Sequence, residues 1–270
     1  AYLGVQPFRR YGIGPDLTGL LIGSEGTLGV LTEATLQVRP IPEAEDYLSF
    51  TFDNWNDVVE VGDAITRPFG DEIAYAFETG EESSALGTIT ARIHLYGYDV
   101  EMLEYRKRKL REICEKHKGK RGDPSIAREF FTRATKGLKD IFNEGVWHFA
   151  GCGFVPIGKL PAFNEVWREI VARKYSFPRS TFGAWTFPRG WAFYAHLRYV
   201  EPDERETIMR ISNEIGERFM EMGAVPFGIG GPDGALPFIR GRLGSYYELL
   251  RSVKKALDPN DILQPGILVE

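Results

Sequence analysis

Tyr194, His196 and Arg198 alternate with Phe193, Ala195 and Leu197 in WAFYAHLRY, Trp191 to Tyr199. Strand side chains alternate between faces, so the three polar groups share one face and the three apolar groups the other. An imidazole in that position could accept a proton, and a guanidinium could hold a carboxylate. An edge or solvent-facing strand with ordinary polar residues carries the same pattern. A second place with chemical potential is Tyr11 to Pro40, YGIGPDLTGLLIGSEGTLGVLTEATLQVRP, where Gly23, Ser24, Gly26 and Gly29 crowd into a bend between two apolar segments. A run spaced GSEGTLG can take positive φ and turn its amides toward the phosphates or carbonyls of a ligand. A tight turn leading into a strand accounts for it equally well. The spacing is not the dinucleotide fingerprint, which needs a strand before and a helix after; here a β-prone run, Thr27 to Val38, follows. His94, His117 and His148 share no ligand spacing, and no metal site is expected.

The far end of the chain adds a partner motif. Lys254 to Leu268, KKALDPNDILQPGIL, reads as a helix end followed by turns at Asp258-Pro259-Asn260 and Gln264-Pro265-Gly266. Taken as a pair, GPDLTGLLIGSEGTLGVLTEATLQVRPIPE and KKALDPNDILQPGIL resemble the FAD-linked oxidases of the vanillyl-alcohol oxidase and para-cresol methylhydroxylase type. That superfamily includes glycolate oxidase subunits, D-lactate dehydrogenases and alkyl-dihydroxyacetonephosphate synthase. The resemblance implies an FAD-contacting run of Ser24, Glu25, Gly26, Thr27, Leu28, Gly29, Val30 and Leu31, with Gly14, Pro15 and Asp16 nearby. It further implies the C-terminal, cap or substrate, portion of an FAD-dependent oxidoreductase acting on a small alcohol or 2-hydroxy acid. In such enzymes a flavin-binding half precedes the GSEGTLG segment, so the expected partners are an N-terminal FAD-binding half or subunit and a small-molecule substrate. A homo-oligomer is a further expectation, because Val30, Leu36, Leu249, Leu250 and Ile262 would otherwise lie bare.

The sequence departs from the family near Val225-Pro226-Phe227-Gly228-Ile229-Gly230. Relatives of the glycolate oxidase type carry acidic and histidine residues just before this turn, and those of the vanillyl-alcohol type a tyrosine and an arginine. Proline and phenylalanine can neither ligate a metal nor move a proton. The carried-over roles therefore stop at flavin binding, and Tyr194, His196 and Arg198 become the replacement catalytic candidates. A non-catalytic binding or assembly subunit derived from such an oxidase is the competing expectation.

Composition sets broader bounds. A chain of 270 residues with 43% hydrophobic content can bury a sizeable core. The net charge of −5 gives no broad positive field, which disfavours nucleic acid as the main partner. The basic run Arg106 to Arg111 sits in a helical pattern with an apolar stripe at Leu103, Leu110 and Ile113 and reads as a solvated face. Cys114 and Cys152 are too few for a disulfide framework and read as small hydrophobes. No apolar run approaches the ~20 residues that span a bilayer, so a cytoplasmic location is expected.

The elements that must position the candidates follow from periodicity. Strand Tyr47 to Phe52, helix Trp55 to Thr66, strands Glu72 to Glu78 and Thr88 to Tyr96, and helix Met102 to His117 form one set. Strand Val146 to Phe154, helix Leu160 to Arg173, strands Ser180 to Phe187 and Trp191 to Tyr199, and helix Pro202 to Met222 repeat the order. A helix Ile126 to Ile141 intervenes, and a last helix spans Tyr246 to Leu257. The expected fold is α+β: an antiparallel sheet of two split βαβ (ferredoxin-like) units with helices on one face, plus terminal pieces of an FAD-binding domain. The expected division is 1–42 for an edge of the FAD-binding domain, 43–228 for the cap, and 229–270 for the returning segment.

Overall fold

The computed structural model describes residues 17–36, 38, 40–69, 75–135, 146–149, 151–187, 190–199, 203–226, 243–267 and 269. The chain divides into two compact units, one of residues 41–227 and one formed by 1–40 together with 228–270.

The larger unit is built on a mixed arrangement of helices and one antiparallel sheet. Its strands are β1 (Ala44–Phe52), β2 (Tyr75–Glu82), β3 (Ile89–Gly97), β4 (Lys120–Arg121), β5 (Val146–Phe149), β6 (Gly153–Val155), β7 (Ser180–Phe187), β8 (Gly190–Tyr199) and β9 (Val225–Pro226). Their order is β4-β1-β3-β2-β7-β8-β6-β9, with β5 also on β8. The first set of strands therefore reads β1-β3-β2 and the second β7-β8-β6, and the sets join where β2 runs antiparallel to β7. The expected continuous strand from Val146 to Phe154 is instead two pieces, which pair with opposite ends of β8. Gly151, at φ 136, lies between them, and a Cβ there would come within 3.1 Å of Ile215 and 3.0 Å of Phe219. A backbone break of this kind re-aims a strand without ending the sheet.

Alternation in the sequence becomes a two-faced sheet. Leu48, Phe50 and Phe52 on β1, Ile89, Ala91, Ile93 and Leu95 on β3, and Phe193, Ala195 and Leu197 on β8 all enter one apolar core. Helices α1 (Trp55–Phe69), α2 (Val100–Lys116), α4 (Leu160–Trp167) and α5 (Arg205–Glu221) cover it with stripes such as Ile208, Ile211, Ile215 and Phe219. Each fully buried aliphatic or aromatic side chain of this kind contributes roughly 1.5–3 kcal/mol. Gly223, at φ 89, ends α5 in the left-handed conformation that glycine tolerates. Pro202, expected at the start of that helix, lies outside the described residues.

One expectation about the faces is corrected. Helix α3 (Pro124–Thr135) packs on the opposite side of the sheet, where the Arg128 guanidinium lies 5.4 Å from the Tyr47 ring centroid and Phe131 meets His94 at 5.5 Å. Tyr47, Arg92 and His94 alternate with core residues along β1 and β3, so the second face is covered at that end. Phe130 and Phe131 of α3 meet that surface at Arg92 and His94.

The two halves of the sheet are pinned beneath the helices by Glu81 of β2, which is fully buried. Its carboxylate accepts from Trp55 Nε1 at 3.0 Å, Asn164 Nδ2 at 2.7 Å and the Gly87 amide at 2.6 Å, and is ion-paired with Arg168. Trp55 belongs to the first set of elements and Asn164 and Arg168 to the second. Removing one member of such a cluster leaves the other charge stranded, so Glu81→Ala is expected to lose about 3–5 kcal/mol in urea denaturation followed by tryptophan emission. A loss below about 1 kcal/mol, the level of an exposed ion pair, would show that the cluster does not hold the sheet together.

The smaller unit contains a 3-10 turn at Leu17–Leu20 and helix α6 (Ser245–Leu257). Leu28 and Val269 form its buried centre, with Leu21, Tyr247, Leu250 and Val253 packed against them. The β-prone run Thr27 to Val38 forms no strand among the described residues. Val30, Leu31, Leu36 and Val38 are all at least 66% exposed, and β propensity without a pairing partner does not make a strand.

Candidate active site

The GSEGTLG segment folds as two successive tight turns. The Ser24 amide donates to the Leu21 carbonyl at 3.3 Å, and the Thr27 amide donates to the Ser24 carbonyl at 2.9 Å. Gly23, Glu25 and Gly26 take φ of 79, 52 and 78, so the second turn has positive φ at both central positions. The Ser24 and Thr27 hydroxyls are engaged internally, donating to Leu21 O at 3.0 Å and Ser24 O at 2.6 Å. A Cβ at Gly23 would meet nothing within 4 Å, and one at Gly26 only Gln264 at 3.6 Å. Gly23, Glu25 and Gly26 are thus exposed, whereas Ser24 between them is buried.

What holds the turn is Lys254, buried in the last turns of α6. Its ammonium donates to Thr27 O at 3.0 Å, Leu263 O at 2.6 Å and Asp258 Oδ2 at 2.6 Å, with Asp261 at 3.1 Å. Burial pulls its pKa down, but Asp258 and Asp261 outweigh that and keep it above the ordinary lysine value. The Lys254 ammonium, then the Leu263 and Ile262 amides, lower the Asp258 pKa to about 2. The two end motifs of the sequence therefore meet through one cation. Of the expected cofactor run, Ser24, Thr27 and Leu28 are buried structural members, whereas Val30 and Leu31 are exposed. Gly14, Pro15 and Asp16 lie outside the described residues.

The catalytic candidates lie on β8. Tyr194 and His196 are stacked, with ring centroids 4.3 Å apart and planes at 27°, and Trp185 stacks on the other side of Tyr194 at 4.8 Å. Tyr194 is 4% exposed, and its hydroxyl donates to Glu78 Oε1 while lying 3.2 Å from Thr79 O. Burial, reinforced by Glu78, raises its pKa well above 10. The His196 ring is partly exposed, yet its Nε2 is buried, and desolvation lowers its pKa to about 3. Arg198, also partly exposed, donates its backbone amide to Arg179 O at 2.9 Å. The three side chains share a face, as the alternation requires.

Sequence reasoning missed Glu78 and Arg92. Arg92 of β3 donates to Glu78 Oε2 at 2.6 Å, and its guanidinium sits 5.0 Å from the Phe130 ring of α3. Burial raises the Glu78 pKa even though Arg92 and Tyr194 oppose it, and that same carboxylate holds Arg92 above its ordinary value against desolvation. The register would have revealed the pair, since Glu78 lies directly opposite Arg92. His94 stacks on Tyr47 at 4.6 Å and contacts Glu45 at 3.1 Å. Burial pushes both thiols up to about 12, consistent with inert small hydrophobes. Among the described residues no group of acidic, histidine or cysteine side chains could hold a metal, and no helix is long and apolar enough to cross a membrane. Phe227 to Gly230 lie outside the described residues.

Comparison with known proteins places this geometry in a class. No family model matches the chain. It is 26% identical to the mitochondrial D-lactate dehydrogenase [cytochrome] of Arabidopsis thaliana over 97% of its own length and 48% of that protein. Among solved structures, an alkyldihydroxyacetonephosphate synthase superimposes with a TM-score of 0.62 at 14% identity, covering 95% of this chain and 50% of the other. The flavoenzyme CrmK of caerulomycin biosynthesis superimposes with a TM-score of 0.55 at 16% identity, over 84% and 56%. The chain is thus similar to the FAD-linked oxidases of the vanillyl-alcohol oxidase type. It spans about half the length of the curated relatives it matches from end to end.

Two titrations follow. Because the Asp258 pKa is depressed in the folded state, its stabilising effect is complete above the ordinary carboxyl value of 3.8 and is lost as pH falls through about 2. The Leu263 amide resonance is expected to titrate with a midpoint near 2, and a midpoint near 4 would contradict the Lys254 cluster. For His196 the unfolded chain takes up a proton below 6.5 while the folded one does not until about 3. Stability measured in urea should therefore decline between those values, and His196→Gln should flatten the decline.

Proposed function

We propose that this chain is the cap or substrate portion, together with part of the FAD site, of an FAD-dependent oxidoreductase that oxidises a small alcohol or 2-hydroxy acid. Segments 1–42 and 229–270 take the role of FAD-binding-domain pieces. Segment 43–228 is the cap, its sheet derived from two split βαβ (ferredoxin-like) units. The observation that carries the reading is the Lys254 contact, which joins the two motifs of the resemblance while Gly23, Glu25 and Gly26 stay exposed to a ligand.

The residues present fit the cofactor at this turn: positive φ at Glu25 and Gly26 exposes backbone, and added Cβ atoms would stand in the approach path. Ser24, Glu25, Gly26, Thr27, Leu28, Gly29, Val30 and Leu31 would hold it, mainly through main chain and the exposed Val30 and Leu31 side chains. FAD, when bound, supplies the acceptor for the electrons that leave the substrate carbon. On β8, Arg198 is the cation for a substrate carboxylate. His196, neutral across the physiological range, offers its ring to the substrate hydroxyl as a hydrogen-bonding group and proton acceptor. Tyr194, its hydroxyl held by Glu78, completes the set by packing its ring against His196. The remainder of the flavin site comes from an FAD-binding half or subunit.

Two measurements on the purified chain test the reading. Alone with added FAD it should retain no stoichiometric yellow band through gel filtration, because several charge-assisted hydrogen bonds of roughly 1.5–3 kcal/mol each would be missing. With a flavin-binding half added, a panel of 2-hydroxy acids should drive dye reduction, which His196→Ala lowers by about 10²-fold. Complex formation without turnover on any alcohol or hydroxy acid would overturn the enzyme and favour an assembly subunit.

A further inference from the structure

At the seam between the two sets of strands, Gly80 of β2 stands opposite Gly183 of β7, and Gly183 stands opposite Tyr194 of β8. Neither glycine has positive φ, so turn conformation does not explain them. Space does. A Cβ on Gly183 would lie 2.1 Å from Tyr194 Cζ and 2.2 Å from its hydroxyl oxygen, and one on Gly80 would lie 3.3 Å from that oxygen and 3.3 Å from Arg92 Nη1. The phenol ring therefore lies along the sheet, over bare backbone, rather than standing away from it as strand side chains ordinarily do. Its hydroxyl ends on Glu78, whose other oxygen is held by Arg92, and Arg92 is in turn backed by Phe130.

A ring fixed at its far end has a fixed long axis, and packing on its face then settles its plane. Trp185 stacks on that plane at an interplanar angle of 28° and His196 at 27°. Offset stacking between aromatic groups is worth only about 0.5–1.5 kcal/mol, too little by itself to freeze an imidazole, so the anchor decides how well the stack is defined.

We propose that Tyr194 is a positioning residue: anchored on Glu78 across Gly183 and Gly80, it sets the plane against which the His196 imidazole stacks, so that His196 is presented in one orientation. Glu78, Arg92 and Gly183 act through Tyr194. The link to the proposed oxidoreductase lies only in calling the His196 face the substrate side; the positioning itself is a property of this chain without flavin. Among the described residues the other charged groups on this face of these strands are Glu82, opposite Thr181 on β7, and Arg198 on β8.

The experiment is proton NMR of the His196 ring in the purified chain without cofactor, its signals assigned by their loss in His196→Gln. In the native protein those signals should show the upfield displacement of a stacked ring and titrate near 3. Tyr194→Phe keeps the ring and removes the anchor. It should reduce the upfield displacement or split the signals into several conformers, and should raise the midpoint by about one unit or more as water reaches the imidazole. Gly183→Ala keeps the hydroxyl but drives the ring from its seat, and should give the same change. If Tyr194→Phe lowers the melting temperature while leaving the His196 shift and midpoint native, Tyr194 is a stability element and the proposal fails. Where Gly183→Ala does not fold, Tyr194→Phe decides alone. Absence of turnover in the reconstituted enzyme would sink the proposed activity and leave this result untouched.

Discussion

A charge can be taken out of water only if its partners come with it, and each unit of this chain is organised around one such charge. In the smaller unit the charge is the Lys254 ammonium, whose donors reach Thr27, Asp258 and Leu263 from both ends of the sequence. In the larger it is the Glu81 carboxylate, which gathers Trp55, Asn164, Arg168 and the Gly87 amide. Neither cluster tolerates partial assembly, because a missing partner leaves a buried ion. This makes the turn at Ser24 to Thr27 a consequence of a helix more than 200 residues away, since the Thr27 carbonyl and Lys254 are 227 positions apart.

The face that carries the catalytic candidates follows a different logic. Its apolar counterpart is filled by helices, whereas here the side chains are held by one another: Arg92 by Glu78 and Phe130, Glu78 by Tyr194, and Tyr194 between Trp185 and His196. Helix α3 closes the β1–β3 end of this face. The polar cluster begins at Arg92 under Phe130 of α3, and its members shift one another's proton affinities in the manner expected of desolvated, contacting groups.

Much of this was legible in the sequence where a local rule governs. The alternation in WAFYAHLRY put Tyr194, His196 and Arg198 on one face, and the stripe Ile208, Ile211, Ile215 and Phe219 marked a core helix, because period alone decides both. The fused sheet was also anticipated from the repeated order of elements. What could not be read depends on contacts distant in sequence. Lys254 looks like any solvent-facing lysine near a helix end, and only the fold shows Thr27 beside it. Glu78 stood at the end of an expected strand rather than inside one, so its partners Arg92 and Tyr194, 14 and 116 positions away, had no local signal. The run from Thr27 to Val38 misled because β propensity is a preference for a partner surface, and beyond Leu28 its large apolar residues Val30, Leu31, Leu36 and Val38 are exposed.

The division into two units also sorts the chromophores. All five tryptophans, Trp55, Trp147, Trp167, Trp185 and Trp191, belong to residues 41–227. Indole fluorescence is thus a private reporter of the larger unit, and Trp55, its N–H on Glu81, is placed to register loosening of the central pin. The unit carrying the Ser24 to Thr27 turn is optically dark at those wavelengths, and only its tyrosines, among them Tyr246 and Tyr247 on α6, speak for it. A melting curve followed by tryptophan alone would therefore describe one unit while remaining blind to the other.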